Sequence, residues 1–290
     1  MLKILVDTYR SEKQIFITGS SSFRLTQLTE EPLTGRKRVY HLYPLSLEEL
    51  TKRDGLHNVQ THLSWFLRYG LYPAVINSSD EREKREIIKE LSSSYLYQDI
   101  LEFQDVKNAT VIHNLLKILA LRIGQEISLH DIGKHIGLDS RTVERYIDLL
   151  EKSYIVFRLP PYYTNKEKEI TKMHKVYFYD VGIRNALLES FGPLDVRGDI
   201  GHLWENFIIA ERVKYIAYHS GSELRYFWRT RSGQEIDYIE EEDGQIYATE
   251  IKWNKNRKQA PDMFTTLYPK HVWRSVTREN WYQFVIKGLE

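Results

Sequence analysis

Asp237, Glu250 and Lys252 are the residues whose types and spacing best suit chemistry. They flank the pair Asp243-Gly244, which separates two β-branched, alternating runs, Gln234–Ile239 and Ile246–Trp253. An Asp-Gly pair in that position favours a two-residue hairpin turn, because a type I′ turn needs positive φ at both central residues. Asp237 lies six residues before Asp243, and Glu250 six after Gly244, so the turn sets them directly opposite each other. Opposed residues share a sheet face with Cβ atoms about 4.5–5.5 Å apart, and alternation brings Lys252 onto the same face. Two neighbouring carboxylates repel unless a cation lies between them or one is protonated. A hard ion such as Mg²⁺ or Mn²⁺ suits such oxygen donors. Lys252 would then orient or deprotonate a water, or neutralise charge developing on a phosphate, which is metal-assisted phosphodiester chemistry. The plainer alternative is a surface hairpin in which Glu235, opposite Lys252 in the same register, pairs with it.

Three further elements precede this hairpin in the sequence. Lys175–Asp180 reads as a strand, Gly201–Tyr218 as an amphipathic helix carrying Glu205, and Leu224–Arg229 as an alternating strand. Ahead of them, Ile112, Leu115, Leu116, Leu119 and Ile123 recur at helical spacing. Ser128-Leu129-His130-Asp131 opens a short helix that stops at Gly137, and Asp139 or Ser140 caps a third helix with the stripe Val143, Tyr146, Ile147 and Leu150. Two helices joined by a tight glycine-containing turn predict a helix-turn-helix. Tyr154–Leu159, Pro160-Pro161 and the charged stretch Thr164–Lys168 supply the parts of a wing.

If the third helix enters a major groove, Ser140, Arg141, Thr142, Glu144 and Arg145 occupy its exposed N-terminal face. Arg141 and Arg145 are four apart and suited to phosphates or guanine edges, with Lys134, Lys166, Lys168 and Lys172 as backbone contacts. Glu144 and Asp148 dilute the patch, and winged helices also serve as protein–protein modules. His130 and His135 are five apart and share no helical face, which argues against a metal pair.

The N-terminal stretch reads as the tail of an α/β unit. Leu2–Tyr9 ends a helix, and Gln14–Thr18 predicts a buried strand running into the polar loop Gly19–Ser22. Val39–Leu45 is a second apolar piece, and Ser46-Leu47-Glu48-Glu49 has capping-box spacing. From Val59 to Gln104 the pattern is helical, broken at Gly70 and Pro73, with the charged run Glu81–Leu91 as a solvated face. No segment matches the phosphate-cradling G-x-x-x-x-G-K-[ST] loop.

Composition limits the remaining choices. The 290 residues are 42% hydrophobic and 28% charged, ordinary globular usage that excludes wholesale disorder. Forty-one Lys and Arg against 40 Asp and Glu exclude a uniformly basic nucleic-acid coat but leave room for a local patch. The absence of Cys excludes disulfides, thiolate metal sites and thiol catalysis. No apolar run approaches a membrane span, so the expectation is a cytoplasmic protein without a membrane partner.

Asp237 and Glu250-Ile251-Lys252, with the upstream helical Glu205, resemble the core of PD-(D/E)xK nucleases. More broadly, the sequence is similar to prokaryotic AAA-superfamily ATPases that end in the domain of unknown function DUF4143. The matching pieces are Ile17–Ser21 as a sensor strand, Leu33-Thr34-Gly35-Arg36 ahead of Pro44-Leu45-Ser46, Tyr69–Pro73, Lys175–Asp180 and Trp204-Glu205-Asn206. The resemblance implies a mixed α/β chain. Residues 1–50 would be the C-terminal part of an AAA core, 51–105 a helical lid, 106–170 a winged helix-turn-helix, and 171–290 a restriction-endonuclease-like α/β domain. It also implies Glu205, Asp237 and Glu250 as Mg²⁺ or Mn²⁺ ligands, with Lys252 completing a catalytic set. Ser20 and Arg36 would be vestiges of a nucleotide site, since the family's phosphate loop precedes the sensor strand and no such loop occurs here. The expectation is therefore no ATP binding and no ATPase activity. Three functions follow: a nuclease delivered to double-stranded DNA, a non-catalytic DNA-binding or regulatory protein, or an ATPase remnant that assembles with a second copy or an intact ATPase relative.

Overall fold

The computed structural model describes residues 8–9, 13–19, 37–95, 109–163, 173–219, 221, 224–254 and 257–288. These form a mixed α/β protein of eleven α-helices and two sheets. Among the described residues no helix is long and apolar enough to cross a membrane.

The run Gln14–Thr18, expected as a buried strand, is irregular and exposed, with Phe16 at 80% of its full accessibility. An apolar β-branched run becomes a strand only where neighbouring strands bond its edges, and no described strand pairs with it. Ser20 and Arg36, with Lys166, Lys168 and Lys172, lie outside the described residues. Residues 8–9 are helical, and α1 (Leu47–Asp54) follows, where the Ser46 hydroxyl accepts from Glu49 N and Glu49 accepts from Ser46 N, a complete capping box. Then follow α2 (Leu56–Tyr69), α3 (Pro73–Asn77) and α4 (Glu81–Glu90).

The next unit is α5 (Ala109–Leu121), α6 (Leu129–Ile136) and α7 (Ser140–Lys152), then strands β1 (Val156–Leu159) and β2 (Lys175–Phe178). Ser128 caps α6, and Asp139 rather than Ser140 caps α7. The predicted stripe Val143, Tyr146, Ile147 and Leu150 is buried with Ile112, Leu115, Leu116 and Leu119 of α5 in one core. Strands β1 and β2 pair antiparallel, and residues 126–127 join the other edge of β2 through the Glu126–Lys175 bridge and Ile127 N to His174 O.

Strand β2 serves two cores. Val176 and Phe178 face the helical unit, while Tyr177, between them, faces a second core built around α9 (Ile200–His219). Between the strand and that helix lies α8 (Val181–Leu187), capped by Asp180, whose carboxylate also accepts from Leu71 N at 2.7 Å. Helix α9 is not amphipathic as the sequence suggested, since every side chain from Leu203 to Glu211 is buried. Its surroundings explain this: α1 and α2 contribute Leu47, Leu50, Leu63 and Leu67 to its core, and the C-terminal sheet contributes Tyr238, Ile251 and Val276.

That sheet has the order β3-β4-β5-β6, from β3 (Arg225–Arg229), β4 (Glu235–Glu242), β5 (Gln245–Ile251) and β6 (Val272–Val276). The first three strands are antiparallel. Strand β6 returns parallel to β5 after α10 (Asp262–Leu267), and α11 (Tyr282–Val285) closes the described chain against α9. The β4–β5 hairpin has the register that the Asp-Gly turn dictates, from Glu242 opposite Gln245 to Tyr238 opposite Thr249, with Asp243 at φ 48° and Gly244 at φ 78°.

Candidate functional site

One register step beyond Tyr238–Thr249, the hairpin brings Asp237 and Glu250 to its open end, both buried. Lys252 lies between them, with Nζ 2.9 Å from Asp237 Oδ2 and 3.2 Å from Glu250 Oε1. Ile251 N donates to the same Asp237 oxygen at 2.8 Å, fixing that carboxylate to the end of β5. Arg257 reaches Glu250 Oε1 at 3.4 Å. Glu250 Oε2 is buried with no hydrogen-bond partner.

Glu205 approaches from α9 and is 5% exposed. Its Oε1 accepts from Tyr177 OH at 2.6 Å and faces Lys175 Nζ at 3.2 Å, both on β2. Lys175 also pairs with Glu235 of β4. Glu235 is therefore not the partner of Lys252, as the plainer reading of the hairpin had it. Packing brings a third strand across the end of β4 and captures Glu235 there. His202, one turn before Glu205, has Nδ1 3.9 Å from Glu205 Oε2.

The electrostatics follow from burial and proximity. Burial pushes the Glu205 carboxyl up to about 7, and the Asp237 charge adds to the rise against Lys175, Tyr177 and Lys252. Glu250 is raised by burial and by Asp237. Burial works to lower Lys252, but Asp237 and Glu250 outweigh it and hold the ammonium above its usual value. Lys252 is thus a cation at neutral pH, suited to orienting water or neutralising phosphate charge and unsuited to proton abstraction in this state. Among the described residues no three His, Asp or Glu side chains are gathered as a ready metal cage. Lys252 and Lys175 hold the carboxylates together in its place.

Three family profiles match the chain in order. The AAA domain covers residues 1–51, a domain of unknown function designated DUF8612 covers 60–193, and DUF4143 covers 200–282. The chain carries AAA-type sequence and a DUF4143 domain. Uncharacterized proteins of Mycobacterium tuberculosis and Mycobacterium bovis are each 27% identical to it over 254 residues, covering 87% of this chain and 55% of the relative. An uncharacterized protein of Methanocaldococcus jannaschii is 26% identical over 241 residues, 78% of this chain and 52% of the relative. The chain thus spans about half the length of these curated relatives. No solved structure matches it.

The DUF4143 span holds Glu205, Asp237, Glu250 and Lys252, whereas Lys175 and Tyr177 belong to the DUF8612 span. The latter two were missed in the sequence because they lie 30 and 28 residues from Glu205. A lysine opening the otherwise apolar run Lys-Val-Tyr-Phe was the available signal, since an unpaired ammonium is rarely buried. Arg257 carried no local signal.

The second predicted surface lies on α6 and α7 of the DUF8612 span. Lys134, Arg141 and Arg145 are exposed and have no carboxylate partner among the described residues. Arg145 rests over the Tyr146 ring at 5.4 Å. Ser140 is half-buried, and the Thr142 hydroxyl donates to Asp139 at 2.7 Å. Asp148 is tied to Arg158 by an ion pair, whereas Glu144 is exposed among the basic residues, as are Asp131 and Asp139.

Proposed function

We propose that the DUF4143 domain is a Mg²⁺- or Mn²⁺-dependent phosphodiesterase of the PD-(D/E)xK type, and that the preceding helices and strands form a winged helix that holds duplex DNA. The observation that carries the first part is the convergence of Asp237, Glu250 and Lys252 at one hairpin end, with Glu205 beside them. Asp237 and Glu250 would hold the ion, with Glu205 drawn in on loading because the described residues do not gather three carboxylates, and the unpartnered Glu250 Oε2 is the donor already in waiting. When bound, the ion supplies a Lewis acid for the scissile phosphate. Glu205 must lose its proton on loading, and Lys252 must swing from Asp237 toward the phosphate, which its half-exposed side chain permits. Arg257 then balances Glu250. For the second part, support comes from the α5–α6–α7 packing and the strand order 126–127, β2, β1, the arrangement of a winged-helix core. The AAA-type segment would take a scaffolding role, with Leu47 and Leu50 packed in the core around α9.

Calorimetric titration of Mn²⁺ should give saturable binding that Asp237→Ala removes. Lys252→Ala should keep the ion and lose cleavage of duplex DNA, and Glu250→Ala should lose both. A wild-type protein without metal-dependent heat would sink the catalytic reading. That outcome would favour a second reading, a non-catalytic DNA-binding or regulatory protein. It has its own observation: Lys252, Lys175 and Arg257 already neutralise the carboxylates without a metal.

A further inference from the structure

The helical region contains a cleft that plays no part in the chemistry above. It encloses about 290 Å³ between α2 and the α3–α4 segment and is lined by Val59, His62, Trp65 and Phe66 of α2, with Lys84 of α4. Lys84 is 4% exposed, an exception on a helix whose other charges face solvent. Its ammonium donates to Val75 O at 2.7 Å and to Ser78 O, and lies 5.3 Å from the centre of the Trp65 ring. No carboxylate pairs with it among the described residues. Glu83 acts on it only at longer range, and burial lowers its pKa.

Two carbonyls and a ring face solvate a cation but do not neutralise it, and a buried charge without a counter-ion is unfavourable. The carbonyls account for two of its three N–H donors. The aromatic walls offer flat apolar area, the usual lining of a small-molecule site, and Lys84 is the buried charge that fixes orientation, since Arg53 and Asp54, which also line the cleft, are exposed and paired with each other. A phosphate would call for several converging donors, whereas a single ammonium matches a carboxylate.

We propose that this cleft binds a small planar aromatic carboxylate, its ring against Trp65 and Phe66 and its carboxylate on Lys84 Nζ. The site is separate from the acidic cluster, and its ligand needs no metal.

The test is calorimetry on the full chain with two probes of one shape, 2-naphthoate and the neutral 2-naphthamide, in metal-free buffer. Naphthoate should bind about tenfold tighter than the amide, the preference a single charge-assisted contact gives. Lys84→Met should bring naphthoate to the level of the amide. Trp65→Leu should weaken both probes while keeping the preference for the anion. Equal affinities in the wild type, no saturable heat at millimolar probe, or an undiminished anion preference in Lys84→Met would each overturn the assignment. The wild-type comparison decides by itself if Lys84→Met does not fold.

Discussion

Replacing Glu205 with Gln tests the electrostatics of the acidic cluster without deleting its packing. In the folded protein burial holds this carboxyl protonated up to about pH 7, against an ordinary 4.5. Below pH 4.5 both the folded and the unfolded chain carry the proton, and the group adds no pH dependence. Between 4.5 and about 7 the unfolded chain has released a proton that the folded chain retains, so stability falls as pH rises. Above about 7 both forms are ionised and the loss is complete. At about 1.4 kcal/mol per pH unit, that interval costs about 3 kcal/mol. Gln resembles the neutral acid in shape and accepts from Tyr177, while Lys175 keeps Glu235 as counter-ion. Urea unfolding of wild type and Glu205→Gln between pH 4.5 and 8.5 reads the difference directly. The variant should lack most of the wild-type decline and, at pH 8, exceed the wild type by up to about 3 kcal/mol. Parallel pH profiles for the two proteins would refute the placement of Glu205 as a buried, high-pKa carboxyl.

Other perturbations probe other links. Arg141→Ala and Arg145→Ala should each weaken duplex binding and flatten its log–log salt dependence by about 0.9 per lost phosphate contact, and an unchanged slope would move this face to protein contacts. Gly70 has φ +81°, and a Cβ there would overlap the Asp180 carboxylate, so Gly70→Ala should destabilise by at least about 2 kcal/mol in denaturant unfolding. Lys214 bonds Glu211 at 2.6 Å, both fully buried on α9. Lys214→Met would leave the Glu211 carboxylate with Leu47 N as its remaining donor and should lower stability by about 3–5 kcal/mol, with a variant as stable as wild type counting against that pair.

What the sequence determined by itself is local. The Asp243-Gly244 turn set the hairpin register from Glu242–Gln245 to Tyr238–Thr249, because positive φ at two adjacent residues leaves few ways to reverse a chain. Ser46, Ser128 and Asp139 marked helix starts, because a short polar side chain reaches amide groups two or three residues ahead. The stripe on α7 marked its buried face through a 3.6-residue period. Tertiary structure decided the rest. Whether Gln14–Thr18 becomes a strand depends on partners that the segment cannot supply, and whether α9 has a solvent face depends on α1, α2 and the sheet that enclose it. The chemistry of Glu205 belongs to this second class. Its high pKa and its contacts to Lys175 and Tyr177 arise where β2 packs between two cores, joining charges 30 residues apart in a place that excludes water. Spacing along a chain fixes which side chains share a face, but desolvation is a property of everything packed around them.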